Sequence, residues 1–327
     1  RRGVEMAAKG FGKQPAKAKG FGAAKKASSP PPKKKTATAA PQKSAEGGGT
    51  TAGKQDMHPA LLALIAETPQ RRAERQALLE ARAPEIVEEL QTRTHCFIDG
   101  VLGEDMCAAM RAEAMRLLGD KALEDKIIDT DTRAASVVIE PELFLQAPLV
   151  TEYALDCAKV FAPLLSGKNG PLSDDASASM LACYGVDGGN FNVHIDNHGN
   201  KDRRVLTLIY YMNPGYDSER QGGRFVPWEI TEDAPPKTEP PTKLSSDVIR
   251  PLEPIDPVGD RIIAFWTCEL PHSVEEFRAP LGKPDGRYAI TVWLTAEEGS
   301  DVFASGRHIL SPTEAHDQRA VQERAPS

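Results

Sequence analysis

No run of 18 apolar residues occurs anywhere in these 327 residues, which argues against a membrane-spanning helix. Cysteine is scarce: five are present, at 96, 107, 157, 183 and 268. An odd, widely spaced set in mostly apolar contexts reads as reduced core thiols in a reducing compartment, and it argues against the secretory route. Acidic residues are nearly missing from the first 55 positions, which hold two Glu against 13 Lys or Arg. That stretch also lacks apolar periodicity, so it has nothing with which to build a core and is expected to be disordered.

Three uses of the basic stretch compete: contact with anionic partners, an organelle transit peptide, or a nuclear-import patch around Lys33, Lys34 and Lys35. An inert or targeting tail is slightly favoured. Position 1 is arginine, as a processed or truncated start would give, which weakens any targeting assignment. The segment Ala8 to Gly12 recurs as Ala18 to Gly22, a single duplication and not a solenoid. Positions 56–327 hold 27 basic against 45 acidic residues. So acidic a body is a poor binder of a phosphate backbone, so nucleic acid is expected at most through the tail. A basic peptide is a better electrostatic match.

What the chain does contain is Phe191-Asn192-Val193-His194-Ile195-Asp196, an alternating stretch that reads as a strand. Residues i and i+2 of a strand share a face, so His194 and Asp196 project together. With His272 on a returning strand they would form a two-histidine, one-carboxylate set that suits Fe(II) with open positions. Alone, His-x-Asp is a weak signal, and its bland reading is a half-exposed strand edge. A second stretch, Arg287 to Trp293, places Arg287, Ala289 and Thr291 on one face of a strand. A structural ion pair at a barrel rim is the bland reading of Arg287; a guanidinium fork for a small carboxylate is the functional one.

Candidate strands span 179–184, 191–195, 204–212, 223–228, 261–267, 273–277 and 287–296. Before them, 59–118 reads helical, with Thr68 capping a helix that has Pro69 at its first position, a second helix from Pro84 and a third over 104–118. A short strand is expected at 94–98. Asp129 and Asp131 read as a solvated turn, and His198 as a loop histidine. His58, His95, His308 and His316 have no carboxylate pattern nearby. Ser311 to Glu314 is a capping box that would open a short helix to about 323.

These motifs taken in order resemble the Fe(II)/2-oxoglutarate-dependent oxygenases, and among them the intracellular oxygen-sensing prolyl 4-hydroxylases. The resemblance runs from about Pro84 to Glu298. It is carried by Ala182-Cys183-Tyr184, His194-x-Asp196, Ile209 to Asn213, Gly222-Gly223, Gly259-Asp260-Arg261, Phe265-Trp266, Pro271-His272 and Arg287 to Trp293. Collagen-type relatives commonly carry lysine where this chain has Arg287.

The resemblance implies a mainly β, α+β fold: a double-stranded β-helix, or jelly roll, buttressed by N-terminal helices. It implies that His194, Asp196 and His272 hold Fe(II), and that Arg287 binds the far carboxylate of 2-oxoglutarate beside Tyr211, Thr291 and Tyr184. Arg203 and Trp293 would lie near the substrate peptide, and the region 126–143 would be a hairpin closing over it. Implied too are O2 as cosubstrate, ascorbate as reductant, a proline-containing protein substrate, succinate and CO2 as products, and a cytoplasmic or nuclear location with a role in oxygen sensing.

The expected organisation is a basic tail over 1–55, a helical lead-in over 56–83, the dioxygenase domain over 84–298 and a tail over 299–327. A proline-rich insert at about 227–258 departs from the family, and it reads as a cheaply lengthened loop or an extended recognition arm. Two other functions stay open: oxidation of another residue or a small molecule, and a catalytically silent metal-binding protein.

Overall fold

The computed structural model describes residues 59–119, 135–139, 141–169, 171–185, 189–197, 199, 202–236, 242–278, 286–299 and 307–309. All of these belong to the unit Asp56–Ser327. The basic segment 1–55, the turn at 129–133, His58, His198, His316 and the expected helix over 311–323 lie outside the described residues.

Helix α1 (Pro59–Thr92) passes without a break through Pro69 and Pro84, where the sequence reads as two helices. Each proline costs the helix a hydrogen bond, about 3 kcal/mol in an isolated case. Burial offsets that loss. Arg75, Leu79, Ala83, Ile86 and Leu90, spaced by three or four residues, are all fully buried, so one continuous stripe of α1 lies against the core. At the first proline, the Thr68 hydroxyl donates to the Leu64 carbonyl at 2.8 Å.

After β1 (His95–Asp99), α2 (Glu104–Gly119) and β2 (Ala135–Val138) comes α3 (Pro148–Asn169), a helix that the sequence reading does not identify. It is buried against α1, and charged groups meet between them. Arg75 bridges Glu152 at 2.8 Å and Asp156 at 2.6 Å, and Arg71 and Arg72 reach the same two carboxylates. Burial works to raise the Glu152 carboxyl, but hydrogen bonds from Arg71 and Arg75 hold it below its usual value.

The strands β3 (Leu172–Tyr184), β4 (Phe191–His194), β5 (Arg204–Tyr211), β6 (Phe225–Ile230), β7 (Thr242–Leu244), β8 (Ile249–Pro251), β9 (Arg261–Trp266), β10 (His272–Val274), β11 (Arg287–Ala296) and β12 (Arg307–Ile309) follow. A four-residue helix, α4 (Ser218–Gln221), precedes β6. Six strands form an antiparallel sheet in the order β1-β9-β5-β11-β3-β2, and four form a second in the order β4-β10-β6-β8. Two antiparallel sheets with helices packed on one of them are the expected double-stranded β-helix. The proline-rich insert folds in part into β7 and β8.

Strand alternation gives the larger sheet two different faces. Leu206, Leu208, Tyr210, Ile262, Ala264 and Ile290 pack with the helices, while Ile209, Tyr211, Ile263, Phe265 and Ala289 form a separate inner cluster. The Gly259-Asp260-Arg261 motif ties the sheet to the two residues that lead into α2. Asp260, at φ +60°, accepts from the Leu102 and Gly103 amides and the Tyr210 hydroxyl at 2.7, 2.8 and 2.9 Å. A Cβ on Gly259 would lie 2.8 Å from the Pro214 nitrogen, a contact real structures avoid, so glycine is required there.

Arg75→Ala removes the cation shared by two buried carboxylates, which typically costs about 3–5 kcal/mol. Urea unfolding of the variant should show a loss in that range; a loss below about 1 kcal/mol, the value of a surface pair, would contradict the arrangement.

Candidate metal centre

The expected triad assembles. β10 pairs antiparallel with β4 so that His272 stands directly opposite His194, and their ring centroids are 4.2 Å apart. Asp196 lies just beyond β4. Its Oδ1 is 3.4 Å from the His194 Nε2 and 3.7 Å from the His272 Nε2. One donor atom from each residue falls within 4.8 Å of the other two, and these three residues can hold a metal ion.

The partners of the remaining atoms point the same way. His194 Nδ1 lies 2.9 Å from the Asn192 carbonyl, and His272 Nδ1 lies 3.2 Å from the Leu270 carbonyl. A carbonyl can only accept, so each Nδ1 carries a proton, which leaves Nε2 as the nitrogen of each ring that can face a metal. Asp196 Oδ2 accepts from the Thr207 hydroxyl and from the Trp293 indole, both at 2.9 Å. Its Oδ1 stays toward the histidines.

Burial works to raise the Asp196 carboxyl, but His272, His194 and the indole overcome it and hold the group far below the usual carboxylate range. Burial, with His194 adding to it, lowers His272 to about 4. At neutral pH the set is therefore anionic carboxylate and neutral His272 imidazole, the protonation that metal binding requires. Two nitrogens and one carboxylate oxygen suit Fe(II).

Arg287, at the start of β11, is 2% exposed. Its Nη2 donates to the Tyr211 hydroxyl at 3.1 Å, and its guanidinium lies 4.8 Å from the ring centres of both Tyr184 and Tyr211. Strand register explains the company: Arg287 faces Tyr184 on β3, and Ala289 faces Tyr211 on β5. Burial pushes the Tyr184 hydroxyl up to about 12 and raises that of Tyr211, so both remain neutral. Thr291 is buried on the same face of β11, four residues on from Arg287.

Among the described residues no carboxylate pairs with Arg287, and its Nε has no hydrogen-bond partner. A buried cation without an anion is costly. A buried guanidinium without a carboxylate partner among the described residues offers a fork that a small carboxylate can occupy. Gly223 makes room for the arginine, since a Cβ there would lie 3.1 Å from its Cδ and 2.9 Å from the Tyr216 hydroxyl.

Trp293, expected near substrate, is placed beside Asp196. The Arg203 side chain donates to the Ala296 carbonyl. Its neighbour Arg204 is gripped by both oxygens of Asp202 and lies 5.2 Å over the Trp293 ring. Sequence reading missed Thr207 and Arg204 as site residues. The signal for Thr207 was available: in Val205-Leu206-Thr207-Leu208-Ile209 it is the one polar residue, and it shares a strand face with Tyr211.

Fold and donor set define a class. Residues 179–295 match the model of the 2OG-Fe(II) oxygenase superfamily. The chain also resembles prolyl hydroxylases. It is 30% identical over 143 residues to prolyl hydroxylase EGLN3 of Homo sapiens, an alignment covering 43% of this chain and 50% of that protein. The chain thus spans about half the length of this relative.

Solved structures share the fold at lower identity. A Trichoplax adhaerens prolyl hydroxylase, in complex with a hypoxia-inducible-factor oxygen degradation domain peptide fragment, is 23% identical with a TM-score of 0.53, over 67% of this chain and 91% of that one. A Pseudomonas putida prolyl-4-hydroxylase is 20% identical with a TM-score of 0.50, over 66% and 99%.

Thr207→Val and Trp293→Phe each remove one hydrogen bond from the outer oxygen of Asp196. Each should weaken Fe(II) binding about tenfold, the usual scale for partners of metal ligands. Anaerobic calorimetry with Fe(II) measures it, and unchanged affinity in both variants would show that Asp196 does not ligate.

Proposed function

We propose that this protein is a Fe(II)- and 2-oxoglutarate-dependent dioxygenase that converts a prolyl residue of a protein substrate to 4-hydroxyproline. The observation that carries the cosubstrate is Arg287, a buried guanidinium lacking a carboxylate partner among the described residues and set in the same barrel as the His-Asp-His cluster. Support for proline as the target comes from the likeness to prolyl hydroxylases.

In this reading His194, Asp196 and His272 hold the iron, with the Asn192 and Leu270 carbonyls orienting the two rings. Arg287 pairs with the distal carboxylate of 2-oxoglutarate while the Tyr211 hydroxyl braces the guanidinium and Tyr184 and Thr291 wall the pocket. Bound Fe(II) and 2-oxoglutarate supply the oxidising power, O2 being consumed as 2-oxoglutarate is cleaved to succinate and CO2 and the substrate gains a hydroxyl. Phe225, Phe265 and Phe191 pack on the histidine rings and exclude water around the reacting atoms.

Arg203 and Trp293 border the substrate side, with the Trp293 indole also bracing Asp196. Ascorbate serves as reductant, and a cytoplasmic or nuclear site of action with a role in oxygen sensing belongs to the same reading. None of the five cysteines forms a disulfide, which suits a reducing compartment.

The test is succinate release from purified protein with Fe(II), ascorbate and 2-oxoglutarate, alongside mass spectrometry of proline-containing peptides. A gain of about 16 daltons on proline, requiring both iron and 2-oxoglutarate, is expected for a hydroxylation. Oxidation of another residue would keep the oxygenase and move the substrate class; binding of both cofactors with no succinate under any condition would make the protein a silent binding module.

His272→Ala should abolish turnover. Arg287→Ala should raise the KM for 2-oxoglutarate roughly 10- to 100-fold, the equivalent of about 1.5–3 kcal/mol for a hydrogen bond to a charged group. Normal KM in that variant would remove Arg287 from the cosubstrate site.

A further inference from the structure

The strand that carries the first candidate ligand is poorly held by its own sheet. β4 is four residues long, lies at the sheet edge and, among the described residues, pairs only with β10, through His272↔His194 and Val274↔Phe191 with a register shift between them. Short edge strands are weak ladders. A metal site built on one needs support from elsewhere.

That support lies on the other side of the strand. Ile195, between His194 and Asp196 in sequence, is fully buried. Its side chain belongs to a cluster with Leu244 and Ile249, against which Val193, Trp228 and Ile309 also pack. Leu244 and Ile249 come from the proline-rich insert. Ile309 comes from the far end of the chain and stands opposite Leu244 in the parallel β12–β7 pair. The insert is anchored in turn by β8, which pairs with β6 through Ile230↔Ile249.

We propose that the insert and β12 together form a clamp on the outer side of β4, and that Leu244 and Ile309 are positioning residues that set His194 and Asp196 for the metal. The role rests on the oxygenase reading above. On this account the insert is a structural part of the metal site, not an arm reaching for substrate. The physical reason is side-chain alternation: Val193 and Ile195 are the outward partners of His194 and Asp196, so whatever locks the former orients the latter. Shape complementarity at Ile195 is thereby converted into ligand geometry on the opposite face.

The test uses the full chain with Co(II) as a spectroscopic probe, titrated by its visible absorption. Leu244→Ala and Ile309→Ala should each weaken Co(II) binding about tenfold, and Ile309→Val should restore most of the loss. Leu79→Ala, a cavity of similar chemistry in the helical core far from the site, should lower Tm while leaving Co(II) affinity within about twofold of wild type. Ile309→Ala changes a partly buried residue and carries the test by itself if Leu244→Ala does not fold.

Wild-type Co(II) affinity in the clamp variants would overturn the positioning role and leave the oxygenase intact, as would an equal loss in Leu79→Ala. No Co(II) binding by the wild-type chain would overturn the oxygenase reading and the clamp with it.

Discussion

The site depends on one cross-strand register, His272 opposite His194. The two residues are 78 positions apart in sequence, and only the pairing of β10 with β4 brings them together. Because side chains alternate with period two, a slip of one residue would send His272 to the outer face and dissolve the triad. Several contacts hold that register. On its other side β10 pairs with β6 through His272↔Pro227, Ser273↔Val226 and Val274↔Phe225. The Trp228 amide donates to the Pro271 carbonyl at 2.8 Å, and its indole donates to the Ser273 hydroxyl at 3.0 Å.

How much of this could be read from the sequence follows from how local each signal is. His194, Asp196 and the strand of Arg287 to Ala296 were legible because alternation is a property of consecutive residues, and β11 begins and ends where the reading placed it. His272 entered only on the condition of a returning strand, since nothing near Pro271 states which strand it will pair with. α1 was misread as two helices because proline is a strong local breaker, whereas its continuity comes from a buried stripe whose partners are distant in sequence, among them Asp156 of α3 for Arg75 and Trp266 of β9 for Leu90. The strands of the insert escaped for a related reason. β7 and β8 are three residues each and flanked by proline, too short for periodicity to emerge, and they exist because Leu244 and Ile249 find Ile195.

Two buried arginines show how the same side chain serves stability or chemistry. Arg75 and Arg287 are both almost fully inaccessible. Arg75 has two buried carboxylates within 2.8 Å, so its charge is neutralised by the fold itself and the cluster joins α1 to α3. Arg287 has tyrosine rings and one hydroxyl. Aromatic faces offer a cation a dispersed and weak attraction, worth about 2 kcal/mol when desolvated, well short of an ionic partner. Each guanidinium keeps one nitrogen without a hydrogen-bond partner, Nη1 of Arg75 and Nε of Arg287, but only the charge of Arg75 is met by carboxylates among the described residues.

The same partition runs through the strands. Along β5, Leu206, Leu208 and Tyr210 face the helices, while Thr207, Ile209 and Tyr211 face the barrel interior. One face packs against α1, α2 and α3, and there the Tyr210 hydroxyl is satisfied by donating to Asp260. The other face carries the polar atoms that chemistry needs, and most of these are already spoken for by protein partners. Thr207 and Trp293 spend their hydrogen bonds on the outer oxygen of Asp196, and each histidine spends Nδ1 on a backbone carbonyl. What is left over among the described residues is the Nε2 of each imidazole, the Oδ1 of Asp196 and the Nε of Arg287.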